Sequence, residues 1–411
     1  MGKGISFIHC ADLHLDSPFK GLSNLPAHLF DEVRNSTFLA LEKLVQTAIE
    51  RRVDFVLMVG DIFDQEEQSM KAHIALVRAF KTLQNYNISV YLSFGNHDYI
   101  NSQTFSRNYP SNVFVFEKDV VEAYHYRKDE EILATIYGFS YIERAVDIDK
   151  SREFIKTGNA SYHIAMLHGS LGASESKDHA NYAPFQLSRL KESGFDYWAL
   201  GHIHQREHLS NQPPIIYPGN MQGRSIKERG IKGCYHVILT GDHSRLEFCP
   251  LGQIRFERLD IDTTNWTDIA DATEQLVTVI RRHCNKLGKV FLEIEWTNTT
   301  EMFEVWQRQG LITDMIEIIN STLIDQENWV QIISVKSKQP ASFHEWHHGE
   351  QFLEQLVATF EDSNHTMTLL SSLWQHPEGR KWLKNLSDQE QEDLNKQAKE
   401  KVYQMLHERE V

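Results

Sequence analysis

The chain has 411 residues, 41% of them hydrophobic and 24% charged, a composition that excludes large-scale disorder and a length that implies two or three domains. The net charge of −15 sits mainly in residues 256–411, which hold 15 Lys and Arg against 27 Asp and Glu, so residues 1–255 are nearly balanced and a nucleic-acid substrate is not excluded there. No apolar run approaches the roughly 20 residues that a bilayer requires, and no role at a membrane is expected.

The first apolar run, Ile5–Cys10, reads as a buried strand rather than a signal peptide. Further strands are expected at Asp54–Val59, Ile88–Phe94, Ile132–Phe139, His163–Leu167 and Phe195–Leu200. Helical periodicity fills His28–Arg52, through Phe30, Val33, Leu41 and Leu44, and Ser69–Gln84, through Ile74, Val77, Phe80 and Leu83. Continuous apolar strands separated by helices predict an α/β fold, because such strands are buried on both faces. Tyr235–Leu239 and Leu246–Pro250 predict a hairpin that closes a domain over residues 1–255. A helix (Trp266–His283), a strand (Lys289–Trp296), a helix (Glu301–Ser321) and a strand (Trp329–Lys336) predict a small α+β cap over 256–338. The break at Gln339-Pro340 opens a helical C-terminal tail, 339–411, whose last helix is expected to start at Ser387.

Four cysteines far apart, with no Cys-x-x-Cys pair, exclude a disulfide framework and fit a reducing cytoplasm. Twenty-one histidines turn any metal chemistry toward imidazole and carboxylate. Five short blocks follow strand ends: Asp12-Leu13-His14, Gly60-Asp61-Ile62-Phe63-Asp64, Gly95-Asn96-His97-Asp98, His168-Gly169 and Gly201-His202-Ile203-His204. Ligands of α/β sheets collect beyond the carboxyl ends of the strands, so the five blocks converge on one rim. Oxygen and imidazole donors suit Mn²⁺, Fe²⁺ or Zn²⁺. The i, i+2 spacing of Asp12/His14 and of His202/His204 lets one loop turn two donors inward, and a carboxylate such as Asp61 can bridge two cations.

These blocks, in this order, resemble those of the calcineurin-like metallophosphoesterase superfamily, D-x-H, G-D-x-x-D, G-N-H-D/E, H and G-H-x-H. The run Tyr217-Pro218-Gly219-Asn220, then Arg224-Ser225, Glu228 and Lys232-Gly233, is similar to the SbcD-type DNA-repair exonuclease branch, and the wording of the blocks to its YhaO group. The resemblance is closest over residues 5–255. It implies a four-layer α/β/β/α sandwich with two divalent metal ions, expected to be Mn²⁺. Asp12, His14 and His204 would hold one ion, Asn96, His168 and His202 the other, and Asp61 would bridge them. His97 would be the general acid that protonates the leaving oxygen after attack by a bridging hydroxide. Asp64, counted with the catalytic residues or else a helix cap, and Asp98 would orient their neighbours.

The implied activity is a DNA exonuclease or endonuclease. A small-molecule phosphodiesterase or nucleotidase would use the same site, although the cap weighs toward DNA, and a DNA-end-binding scaffold would keep only a residual site. The expected partners are DNA, an SbcC-like coiled-coil ATPase (YhaN in the YhaO group) and a second copy of the chain. The apolar stripe Leu394, Ala398, Val402, Leu406 either packs on the chain itself or docks that ATPase. Lys20, Arg34, Arg107, Arg224, Lys227 and Arg229 are candidate contacts to DNA phosphates. His344-Glu345-Trp346-His347-His348 satisfies the zinc-protease pattern H-E-x-x-H, but in the acidic tail it reads as a solvated helix start.

Overall fold

In the computed structural model of this chain the described residues are 3–337, apart from 20, 23–24, 65–67, 103–107, 173–181 and 242, together with 390, 391 and 393–398. The chain divides into two compact units, Met1–Lys338 and Gln339–Val411.

The first unit starts with β1 (Ile5–Ala11), α1 (Ala27–Glu50), β2 (Phe55–Val59), α2 (Met70–Asn85), β3 (Ser89–Ser93) and β4 (Val113–Val115). There follow β5 (Glu122–Lys128), β6 (Glu131–Gly138), β7 (Tyr162–His168), α3 (Leu187–Glu192), β8 (Tyr197–Gly201), β9 (Glu207–Asn211) and β10 (Pro214–Tyr217). The hairpin β11 (Gly233–Thr240) and β12 (His243–Pro250) returns to the first strand. One sheet has the order β12-β11-β1-β2-β3-β4 and the other β5-β6-β7-β8-β10-β9.

The alternation of side chains along β2 decides the layering. Val56 and Met58 point to α1 and α2, packing with Leu41, Leu44, Leu76 and Phe80. Phe55, Leu57 and Val59 point to the second sheet, packing with Ile136, Ile164, Met166 and Tyr197. Both faces are therefore apolar, and burying each such large side chain contributes about 1.5–3 kcal/mol. The outer face of the second sheet is covered by Phe154, Phe185, Leu190 of α3 and Phe195. The result is the α/β/β/α sandwich of metallophosphoesterases. His9 lies buried within it, its ring nitrogens 2.9 Å from the Tyr197 hydroxyl and 3.1 Å from the Leu200 carbonyl.

The cap is a three-stranded parallel sheet, β13 (Ile254–Asp262), β14 (Lys289–Thr297) and β15 (Val330–Ser337). Its helices are α4 (Ile269–Cys284), α5 (Glu301–Arg308) and α6 (Leu311–Leu323). They bury one face of the sheet around Trp266, Trp296 and Phe303. The other face, Ile254, Phe256, Phe291 and Trp329, packs on Phe19 and Leu22 after β1 and on Leu29 and Val33 of α1. Trp329 Nε1 donates to Glu32 of α1 at 3.0 Å, and Lys289 pairs with the same carboxylate. The cap is thus seated on the loop that carries the first metal-ligand block.

Several elements depart from their expected form. The single helix over 301–321 is two, because Gly310 takes φ 80 between them. The strand β13 pairs along its whole length with β14, so the cap is βαβαβ, and its first strand begins at Ile254. Ser69, not Asp64, caps α2, its hydroxyl accepting from the Ala72 amide at 3.1 Å. Residues 344–348, Val402 and Leu406 lie outside the described residues. Glu390, Gln391 and Asp393–Ala398 are helical, with Leu394 half-buried. Among the described residues no helix is long and apolar enough to cross a membrane.

Candidate metal centre

Parallel strands β1, β2 and β3 of one sheet, and β7 and β8 of the other, end at the same edge of the sandwich. Asp12, His14, Asp61 and His202, just beyond those ends, have φ of 52, 43, 50 and 97°. Such left-handed backbone in non-glycine residues costs about 1–3 kcal/mol each and persists only where neighbours hold it. Here the pairing of β1 with β2 continues through both loops: His14 N–H donates to Asp61 O at 3.0 Å and Leu15 N–H to Ile62 O at 2.9 Å. Asp98 joins the loop after β2 to that after β3, its carboxylate accepting from the amides of Ile62 (2.6 Å), Phe63 (3.2 Å) and Gly95 (2.7 Å). Gly95 must be glycine, since a Cβ there would lie 2.3 Å from Asp61 Oδ1 and 2.7 Å from His168 Nε2.

Asp12, His14, Asp61 and His204 bring donor atoms within 4.8 Å of one another. His14 Nε2 is 3.1 Å from His204 Nε2. Behind these rings, His14 Nδ1 lies 3.3 Å from Asp64 Oδ1 and His204 Nδ1 2.7 Å from Glu228 Oε1. His204 Nδ1–H is therefore directed at a carboxylate, whereas His14 Nδ1 lies beside Asp64 without a hydrogen bond, and the two Nε2 atoms face each other. The Arg224 guanidinium spans the supports, pairing with Asp64 through Nη1 and with Glu228 through Nη2 at 3.1 Å. Glu228 also accepts from Asn220 Nδ2 at 2.8 Å and the Arg224 amide at 2.7 Å.

A second set adjoins the first. Asn96 Oδ1 lies 3.1 Å from His168 Nε2 and 3.2 Å from His202 Nδ1. His168 Nδ1 donates to Val59 O at 3.1 Å, which leaves Nε2 as the ligating nitrogen. Asp61 connects the sets: its Oδ1 accepts from the His97 amide at 3.0 Å, while Oδ2 is buried with no hydrogen-bond partner. That oxygen is 3.5 Å from His168 Nε2 and 3.9 Å from His14 Nε2. A buried carboxylate oxygen without a hydrogen bond, set among imidazole nitrogens, fits divalent metal of the imidazole- and oxygen-seeking kind.

The buried carboxylates attract positive charge to this edge. Burial disfavours charge on His168, but the Asp61 and Asp12 carboxylates push its pKa up to about 9. Burial, with the Arg224 charge, holds His14 at about 3; burial, with the His168 charge, holds His202 at about 3. Burial would raise Asp61, yet the His168 and His14 imidazoles hold it well below the usual carboxylate range. Glu228, likewise opposed by burial, is kept low by His204 and Arg224.

His97 stands beside the first set, its ring 5.1 Å from that of His14. Its Nδ1 lies 3.0 Å from the Asp64 carbonyl oxygen, which directs Nε2 outward. All nine expected site residues thus meet at one edge. Arg224 pairs with Asp64 and Glu228, the carboxylates beside two imidazoles. The support by Glu228 was visible only as an acid four residues beyond Arg224. Lys20 and Arg107 lie outside the described residues, Arg34 pairs with Asp16 at 3.1 Å, and Lys227 and Arg229 are exposed.

This sandwich and this centre define a metallophosphoesterase: the chain belongs to the calcineurin-like phosphoesterase family, whose model matches residues 5–206. The chain is similar to the uncharacterized metallophosphoesterase YhaO of Bacillus subtilis (strain 168), 34% identical over 404 residues that cover 96% of each chain. It is also similar to the DNA double-strand break repair protein Mre11 of Methanocaldococcus jannaschii, 26% identical over 353 residues, 81% of this chain and 88% of that one. For Mre11 of Aeropyrum pernix the identity is 26% over 286 residues, 65% of this chain and 66% of the other.

Proposed function

We propose that the chain is a dinuclear metal-dependent DNA phosphodiesterase of DNA-repair type, acting as an exonuclease or endonuclease. The observation that carries the reading is Asp61 Oδ2, unpartnered between His14 and His168. Asp12, His14 and His204 would hold one ion and Asn96, His168 and His202 the other, with Asp61 shared; Mn²⁺ is the ion we expect. Bound metals supply Lewis-acid polarisation of the phosphate and an activated water.

The protein's own residues supply the rest. Glu228, fixed by Arg224, keeps His204 in the tautomer that presents Nε2, and the Asp64 carboxylate lies beside His14 Nδ1. With Nδ1–H held by the Asp64 carbonyl, His97 would act as an imidazolium and deliver the Nε2 proton to the departing sugar oxygen, a poor leaving group that needs an acid. DNA is favoured by the similarity to proteins named for double-strand break repair over 81% of this chain, a span that must include much of the cap or tail. An SbcC-like coiled-coil ATPase and a second copy of the chain are the partners in this reading.

The test is digestion of linear duplex DNA with Mn²⁺. Release of nucleotides or oligonucleotides, abolished by chelation, is expected. Hydrolysis of bis-p-nitrophenyl phosphate or free nucleotides with intact DNA would replace the reading by a small-molecule phosphodiesterase or nucleotidase. Binding to DNA ends without cleavage of any ester would leave a scaffold.

A further inference from the structure

A cavity of about 350 Å³ adjoins the metal centre on the side of α1 and α2, lined by Leu15, Asp16, Pro18, Phe30, Arg34, Phe63, Asp64, Gln68 and Ser69. It begins one residue beyond His14 and two beyond Asp61, and it shares with the centre the carboxylate that supports His14. Nothing in the account of hydrolysis uses the other residues of its wall.

Its chemistry is mixed in a particular way. Phe30, Phe63, Leu15 and Pro18 offer apolar surface, two of them aromatic. Gln68 is 8% exposed, and its amide nitrogen is buried with no hydrogen-bond partner among the described residues. A buried amide left so is costly unless a ligand satisfies it. Asp16 adds an acceptor on the same wall, and Arg34, held by Asp16 at 3.1 Å, adds a cation.

We infer that this cavity is a nucleoside subsite, receiving the base and sugar of the nucleotide next to the phosphodiester at the metal centre. A nucleobase carries acceptors and donors side by side on its edge, matching Gln68 Nε2 and Asp16, and its faces suit aromatic and apolar walls. The volume accommodates one nucleoside and not a duplex. A base enters it only when unpaired or frayed, so the subsite favours strand ends and single strands over duplex interiors. This inference rests on the proposed phosphodiesterase activity and names what the site selects.

The experiment compares two chromogenic esters on the Mn²⁺-loaded full chain: the p-nitrophenyl ester of thymidine 5′-phosphate, and bis-p-nitrophenyl phosphate, which has no nucleoside. Gln68→Leu and Phe30→Ala are expected to lower kcat/KM for the nucleotide ester about tenfold each, the worth of one base-edge hydrogen bond or stacking contact. The second ester should be hydrolysed by both variants at the wild-type rate. Equilibrium dialysis of thymidine 5′-phosphate should show the same weakening without turnover. Equal rates of variants and wild type on the nucleotide ester, with unweakened dialysis, would overturn the subsite while leaving phosphodiesterase activity intact. Loss of both esters together would assign the cavity to structure alone, and no hydrolysis of either ester by wild type would refute the activity itself.

Discussion

His14 and His204, 190 residues apart in the chain, meet with their Nε2 atoms 3.1 Å from each other. Each ring is backed by a carboxylate, Asp64 or Glu228, and both carboxylates are held by Arg224. Two imidazole nitrogens this close either share a proton or hold a cation between them. The pair is a place that a metal can take, and its supports are as informative as its ligands.

Arg224→Ala leaves Asp64 and Glu228 buried without their counter-charge. Removing one partner of a buried pair typically costs about 3–5 kcal/mol, and urea unfolding of the chelated protein should register a loss of that order. Arg224→Lys should recover only part of it, since an ammonium cannot span two carboxylates as the fork does.

Glu228→Gln keeps the shape but removes the charge behind His204. Metal affinity should fall about 10–100-fold, as for other supports of ligating histidines, with the fold intact. Calorimetric titration of the chelated protein with Mn²⁺ checks this; unchanged affinity would mean that Glu228 does not hold the ligand.

His97→Ala should separate substrates by leaving group. Cleavage of DNA, which expels a sugar alkoxide, should slow about 10²–10⁴-fold, while bis-p-nitrophenyl phosphate, whose phenolate leaves without a proton, should be affected far less. Equal losses on both substrates would point to a positioning role for His97.

His9, between the two sheets, makes folding sensitive to acid. Burial holds its pKa at about 3, against an ordinary value of 6.5, with the Leu200 carbonyl only partly opposing. The unfolded chain therefore binds a proton that the folded chain refuses. The stabilisation is complete above pH 6.5 and is lost as pH falls from there toward 3, by about 1.4 kcal/mol per pH unit. Urea midpoints of the wild type should drop between pH 6.5 and 5 more steeply than those of His9→Gln.

The fold and the convergence of the donor blocks were legible for a shared reason. Apolar strands such as Phe55–Val59 are buried on both faces and must read as continuous runs, and each ends in a short polar block that carries a donor. What escaped the sequence was set by long-range contact. The strand Ile254–Asp262 alternates with charged residues and is defined by its pairing with Lys289–Thr297. Gly310 divides a stretch whose periodicity is helical on both sides. Arg224 looks like any basic residue near a phosphoesterase site until the fold places it between Asp64 and Glu228. Gln68 gives no signal at all, since an unpaired amide exists only relative to the cavity around it.

The most direct test of the dinuclear centre is a crystal structure of the Mn²⁺-soaked chain with anomalous scattering. Two peaks about 3.5–4 Å apart are expected, one against Asp12, His14 and His204, the other against Asn96, His168 and His202, with Asp61 touching both. A single peak, or two peaks that do not share Asp61, would contradict it.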